Sequence, residues 1–121
     1  MNIIFGDAAN QLPRDYVVLE LDTFLIKPTD TQVTTWCVVE SVPPTELFQL
    51  DRNKKLHSDL ITEYKSQNWD GCLGIIKSLK GLWDGEVDSF YDEIEKRAIA
   101  YKQESPEPGW TGLVIKHAVP S

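Results

Sequence analysis

The hydrophobic period of this chain changes at Pro43 and Pro44, and that change limits what it can build. Before the two prolines, apolar residues recur with the period of two that marks strands; after them they recur every three to four residues, as on helices. A strand-period block followed by a helix-period block is the order of an α+β fold, a small antiparallel sheet and then a helical segment.

The strand-period block holds two runs, 16–26 and 32–40, rich in β-branched and aromatic residues. In the second, Val33, Thr35, Cys37 and Val39 alternate with Thr34, Trp36, Val38 and Glu40. Large apolar groups therefore fall on both faces, and the strand is expected to be covered on both sides. Pro28 and Asp30 lie between the runs and suit a turn, so an antiparallel hairpin is the economical reading. Residues 2–5 read as a short third strand ending at Gly6 and Asp7, and residues 7–15, with Pro13, as a loop or short helix.

Beyond the prolines, Thr45 suits the cap of a short turn carrying Leu47, Phe48 and Leu50. Leu56, Leu60, Ile61 and Tyr64 form a helical stripe over 53–66, and Trp69, Cys72, Leu73, Ile76 and Leu79 form another over 69–80. The break at 66–68 is short enough to fold these into a hairpin with Tyr64 and Trp69 packed near the turn. A third helix, capped by Asp84 and spanning about 86–102, turns Val87, Phe90, Tyr91, Ile94 and Ala98 inward. Its acidic row of Asp84, Asp88, Asp92 and Glu95 reads as a solvated face, and Lys96, Arg97 and Lys102 suit the helix dipole. Residues 104–109 are a stiff linker, and 110–116 a terminal strand that folds back to bury Trp110, Leu113 and Ile115.

At 121 residues the chain is one domain, and its formal charge of −7 disfavours phosphate backbones and anionic membranes. Only Arg52, Lys54 and Lys55 form a basic cluster, the one candidate for nucleic-acid contact. No run reaches the roughly 20 apolar residues of a membrane span, and the first residues lack signal-peptide features, so a cytoplasmic location is expected.

Chemistry-bearing patterns are sparse. Cys37 and Cys72 read as buried thiols, and with His57 and His117 they lack metal-ligand spacing, so neither metal nor cofactor is expected. His57 reads as a surface or boundary residue, and Cys72 as core rather than as the partner of His57 in catalysis. Glu20, Asp22 and Glu40 are close enough on the hairpin to be considered as an acid-base set, although exposed sheet charges are commoner. Gly71 and Gly74 inside a helix suggest close approach of another helix or a partner.

The order of these pieces resembles the C-terminal end of the class III adenylate and guanylate cyclase domain and the tetratricopeptide-like helical tail that follows it in many bacterial members. Residues 19–27 and 32–40 are similar to the family's closing hairpin, with Pro28 where the family prefers Gly. Tyr64, Trp69, Asp70, Ile76 and Leu79, then Tyr91 to Arg97, Pro106, Pro108 and Trp110, resemble the tail. The family's metal-binding and base-recognising residues lie upstream of this hairpin. The resemblance therefore implies its packing elements without its chemistry. The chain also resembles small marine-phage proteins, a likeness that implies no activity.

With no complete catalytic constellation, the sequence reads as a non-enzymatic interaction or assembly module that associates with itself or another protein. Four tryptophans support that reading: Trp36, Trp69, Trp83 and Trp110 join Tyr64 as candidate interface or pocket residues. Two other readings stay open, a small-molecule or nucleotide pocket between the sheet and the helix hairpin, and a nucleic-acid contact through Arg52, Lys54 and Lys55.

Overall fold

Strands β2 (Val17–Lys27) and β3 (Thr31–Val39) form the antiparallel hairpin that the period of two requires. Their turn contains a cis Lys27–Pro28 bond, with Asp30 in the left-handed region. Strand β1 (Asn2–Phe5) pairs antiparallel with the other edge of β3, and β4 (Leu113–His117) runs parallel to β2 from Thr23 to Lys27. The sheet is thus mixed and four-stranded, in the order β1-β3-β2-β4. The computed structural model describes residues 2–6, 16–40 and 42–117; the segment 7–15, read above as a loop or short helix, lies outside the described residues.

The hairpin is not regular. Between Glu20 and Thr23 the register shifts, so Leu21 and Asp22 together face Thr35. The Thr35 hydroxyl accepts from the Asp22 backbone N–H at 3.2 Å and donates to the Asp22 carbonyl at 3.0 Å, satisfying a buried polar group within the bulge. Val17, Leu19, Leu21, Cys37 and Val39 point into the core, whereas Thr34 and Trp36 on the outer face are only half-buried. Val38 alone of the outer residues of β3 is buried, so cover is complete on the inner face and partial on the outer.

Past the prolines, a 3-10 turn (Pro44–Gln49) leads into α1 (Leu50–Lys65). Thr45 does not cap the turn. Pro43 occupies the cap position without a side-chain acceptor, Pro44 takes the first turn position, and the Glu46 N–H donates to the Pro43 carbonyl at 2.8 Å. Helix α2 (Trp69–Leu79) begins at Asn68, whose side chain accepts from the Gly71 N–H at 3.1 Å. Gly71 is crowded by that same Asn68 side chain and by Glu63, while Gly74 faces open space. Gly71 thus marks the approach of a side chain from α1, and Gly74 marks no approach.

Helix α3 spans Asp88–Gln103, and Asp84 is not its cap. Trp83 and Asp84 have positive φ within a short 3-10 turn (Trp83–Gly85), flanked by Gly81 and Gly85 in the left-handed region. This reversal drives the Trp83 indole fully into the core, and a helix beginning at Asp84 would point it elsewhere. Asp88 instead accepts from the Gly81 N–H at 2.9 Å. Within the acidic row, Asp92 and Glu95 hold Lys80 at 2.9 and 3.1 Å, so the row is a solvated face with local pairing.

The three helices close over the inner face of the sheet, with Leu60, Ile76, Leu79, Trp83, Val87, Tyr91 and Ile94 at the centre. The segment before β4 is pinned by Trp110, whose ring lies 5.3 Å from Tyr64, 5.8 Å from Trp69 and 5.2 Å from Tyr101. Tyr64 and Trp69 meet edge to face at 5.8 Å beside the α1–α2 turn. Among the described residues no helix is long and apolar enough to cross a membrane.

Candidate functional site

The first candidate surface lies along strand β1. Its helix-side residues are Ile3, opposite Cys37, and Phe5, opposite Thr35; they stand 47% and 62% exposed. With Leu21, Phe24 and Phe90 they line a cleft of about 330 Å³ between the strand and α3. The cleft's two carboxylates are engaged by a cation. Asp22 binds the Arg97 guanidinium through both oxygens, at 2.8 and 3.3 Å, and Glu93 binds Arg97 at 3.2 Å. Among the described residues no strand pairs with the free edge of β1. A second apolar exposure is local, where the 3-10 turn presents Leu47 and a Phe48 that is 98% exposed.

The second candidate is a cavity of about 320 Å³ between α1 and the first half of β2. Val18, Glu20 and Trp36 form its sheet side, and Lys54, Ser58, Ile61, Thr62 and Lys65 its helix side. Positions 54, 58 and 62 follow the four-residue repeat of one helix face. Lys65 bonds the Glu20 carboxylate at 2.7 Å across one end.

His57 forms the inner boundary of that cavity and is buried, not a surface residue. Its Nε2 lies 2.5 Å from the Glu20 carbonyl and its Nδ1 2.9 Å from the Tyr91 hydroxyl, which in turn lies 2.9 Å from Trp83 Nε1. One proton arrangement satisfies every member. The indole N–H donates to the Tyr91 oxygen, the Tyr91 O–H donates to Nδ1, and Nε2–H donates to the carbonyl, which can only accept. Burial lowers the His57 pKa, against the raising effect of the Glu20 carbonyl bond and of the nearby Glu20 charge. Burial also pushes the Tyr91 phenol up. His57 lies on the same helix face as Leu60, Ile61 and Tyr64, but a polar side chain there reads as buried only once the sheet carbonyl and the Tyr91 hydroxyl that bond it are known.

The residues singled out from sequence separate. Trp36 lines the α1 cavity, whereas Tyr64 is not among the residues that line it. Tyr64, Trp69 and Trp110 form one aromatic cluster that fixes the C-terminal segment, and Trp83 is fully buried in the core, so it is not an accessible interface residue. The basic cluster also divides: Arg52 bonds Gln49 at 3.3 Å, Lys55 pairs with Asp59 at 3.0 Å, and Lys54 lines the cavity. Glu20, Asp22 and Glu40 do not converge, since they bind Lys65, Arg97 and Asn2 respectively.

Cys37 and Cys72 are both free and fully buried, and burial raises each thiol to about 11, well above the range of a reactive thiolate. Both nitrogens of His57 are engaged away from Cys72. Among the described residues no group of three His, Cys, Asp or Glu side chains is placed to hold a metal ion. No protein-family model matches the chain, and neither a curated protein nor a solved structure matches it.

Proposed function

We propose that this protein is a non-enzymatic interaction module that associates with a second copy of itself along strand β1. The observation that carries the reading is the composition of that edge. Asn2, Ile3, Ile4 and Phe5 include no charged residue and no proline, the devices by which solitary edge strands ordinarily block pairing. Antiparallel pairing of β1 with its twofold mate keeps every residue on its own face, setting Ile4 against Ile4 and Ile3 against Phe5, so no like charges oppose each other. The adjoining cleft supports the same reading, because Phe5 and Ile3 flank an apolar floor of Leu21, Phe24 and Phe90. Four residues of strand pairing are a small interface, and burial in the cleft extends it towards the area that specific complexes need.

Light scattering after size-exclusion chromatography over a range of concentrations tests the proposal. The expected species is a dimer, converted to monomer by Phe5→Asp or Ile3→Lys, which place a charge on the cleft side of the edge. The net charge of −7 on each copy adds a second expectation, that association strengthens with salt as the mutual repulsion is screened. A species that stays monomeric at millimolar concentration and high salt overturns the reading.

A further inference from the structure

The cavity beside α1 has a chemistry that self-association does not use. Its helix side is a row of Lys54, Ser58 and Thr62, and its opposite side carries the half-buried Trp36 indole and Val18. Thr62 donates its hydroxyl to the Ser58 carbonyl at 3.1 Å, which leaves the Ser58 hydroxyl as the available donor of the row. Glu20 and Lys65 neutralise each other at one end. Lys54 forms no ion pair or hydrogen bond among the described residues, although its neighbours Arg52 and Lys55 are both engaged. The cavity therefore carries one uncompensated positive charge in a chain whose net charge is −7.

An apolar wall with an aromatic face, a free ammonium and a hydroxyl donor together recognise a flat ring bearing an acid group. A volume of about 320 Å³ is at the small end for ligand sites, enough for one or two fused rings and a short acidic arm. His57 offers this ligand only its ring, because both nitrogens are already bonded. We infer that the cavity binds a small planar aromatic anion, with the ring against Trp36 and Val18 and the acid group between Lys54 and Ser58.

Two probes separate the possible acid groups, 2-naphthoate and 2-naphthyl phosphate, with 2-naphthalenemethanol as the neutral isostere. Titration followed by calorimetry and by the Trp36 indole N–H resonance is expected to show saturable binding of at least one anion. The isostere is expected to bind about tenfold more weakly or worse, since it forfeits the charge-assisted contact. Lys54→Gln is expected to weaken anion binding by about the same factor, while Lys55→Gln, whose ammonium is held by Asp59, leaves it unchanged. The tighter of the two anions assigns the acid group. Failure of both to shift the Trp36 resonance at about 1 mM, or equal effects of the Lys54 and Lys55 substitutions, overturns the inference.

Discussion

Acidification tests the buried His57 network directly. In the unfolded chain His57 titrates near 6.5, whereas in the folded protein burial holds its pKa lower. The unfolded state therefore binds the extra proton first, and stability is lost as pH falls below 6.5 until the folded imidazole protonates as well. If the folded His57 stays neutral throughout, lowering the pH from about 7.5 to 5.5 costs about 1.4 kcal/mol. The physical reason lies in the proton arrangement. A second proton on Nδ1 would point at a Tyr91 oxygen that already accepts from Trp83, and it would leave the Tyr91 hydroxyl without an acceptor. The Glu20 carboxylate acts in the opposite direction and raises the pKa, but burial is the larger effect. Urea denaturation followed by circular dichroism, on the wild type and His57→Gln, is the assay. The difference in stability between the two should shrink by about 1.4 kcal/mol over that range, because only the wild type carries the titrating imidazole. A difference that stays constant with pH refutes the neutral, fully bonded His57. Tyr91→Phe supplies the complementary result, a loss of about 1–3 kcal/mol for each of the two buried groups, Trp83 Nε1 and His57 Nδ1, that it strands.

Substitutions at four other positions have defined outcomes. Gly74→Ala should raise stability by about 1 kcal/mol in thermal or urea unfolding, since a methyl there meets nothing; Gly71→Ala should gain less or lose, because its methyl would displace the Asn68 cap. Trp110→Ala should cost about 2–4 kcal/mol and increase hydrogen exchange in β4 before it does so in β2, because the ring is what ties that segment to Tyr64, Trp69 and Tyr101. Asn53→Leu should stabilise the protein by about 1 kcal/mol or more, since Asn53 is buried and its Nδ2 has no partner among the described residues; a loss of stability would mean that the amide is bonded.

Local pattern carried much of the architecture. The helical stripes named most of the core, and the break at 66–68 placed Tyr64 against Trp69 as the structure has them. What escaped was set by contacts distant in sequence. The bulge at Leu21 and Asp22 falls where the adjacent polar residues Asp22 and Thr23 interrupt the alternation, but the partner that stabilises it, Thr35, lies across the hairpin. Asp84 is a good cap by residue type, yet the turn that buries Trp83 holds Asp84 in the left-handed region, so the cap of α3 is Val87 while its bounds fall close to those the stripe predicts. The cavity was legible only in part: Trp36 and Lys54 were singled out separately, but Ser58 and Thr62 are ordinary helix-surface residues until β2 is set beside them.

The cavity, the buried histidine and the parallel strand have a common origin in the length of β4. Because β4 accompanies β2 only from Thr23 to Lys27, the other half of that edge, from Val17 to Asp22, has no strand beside it among the described residues. A bare inner edge carries unpaired backbone groups, and α1 is what lies against it. His57 bonds the Glu20 carbonyl and Lys65 the Glu20 carboxylate, so one residue of the strand is held at both its main chain and its side chain by one helix. A helix is about 10 Å across, however, whereas strands pair about 4.8 Å apart. A helix that substitutes for a strand can touch the edge only through long side chains, and the space between those side chains stays open. The cavity lined by Trp36 and Lys54 is that space, so extending β4 alongside Val17 to Asp22 would close it and strip His57 of its partner in the same step.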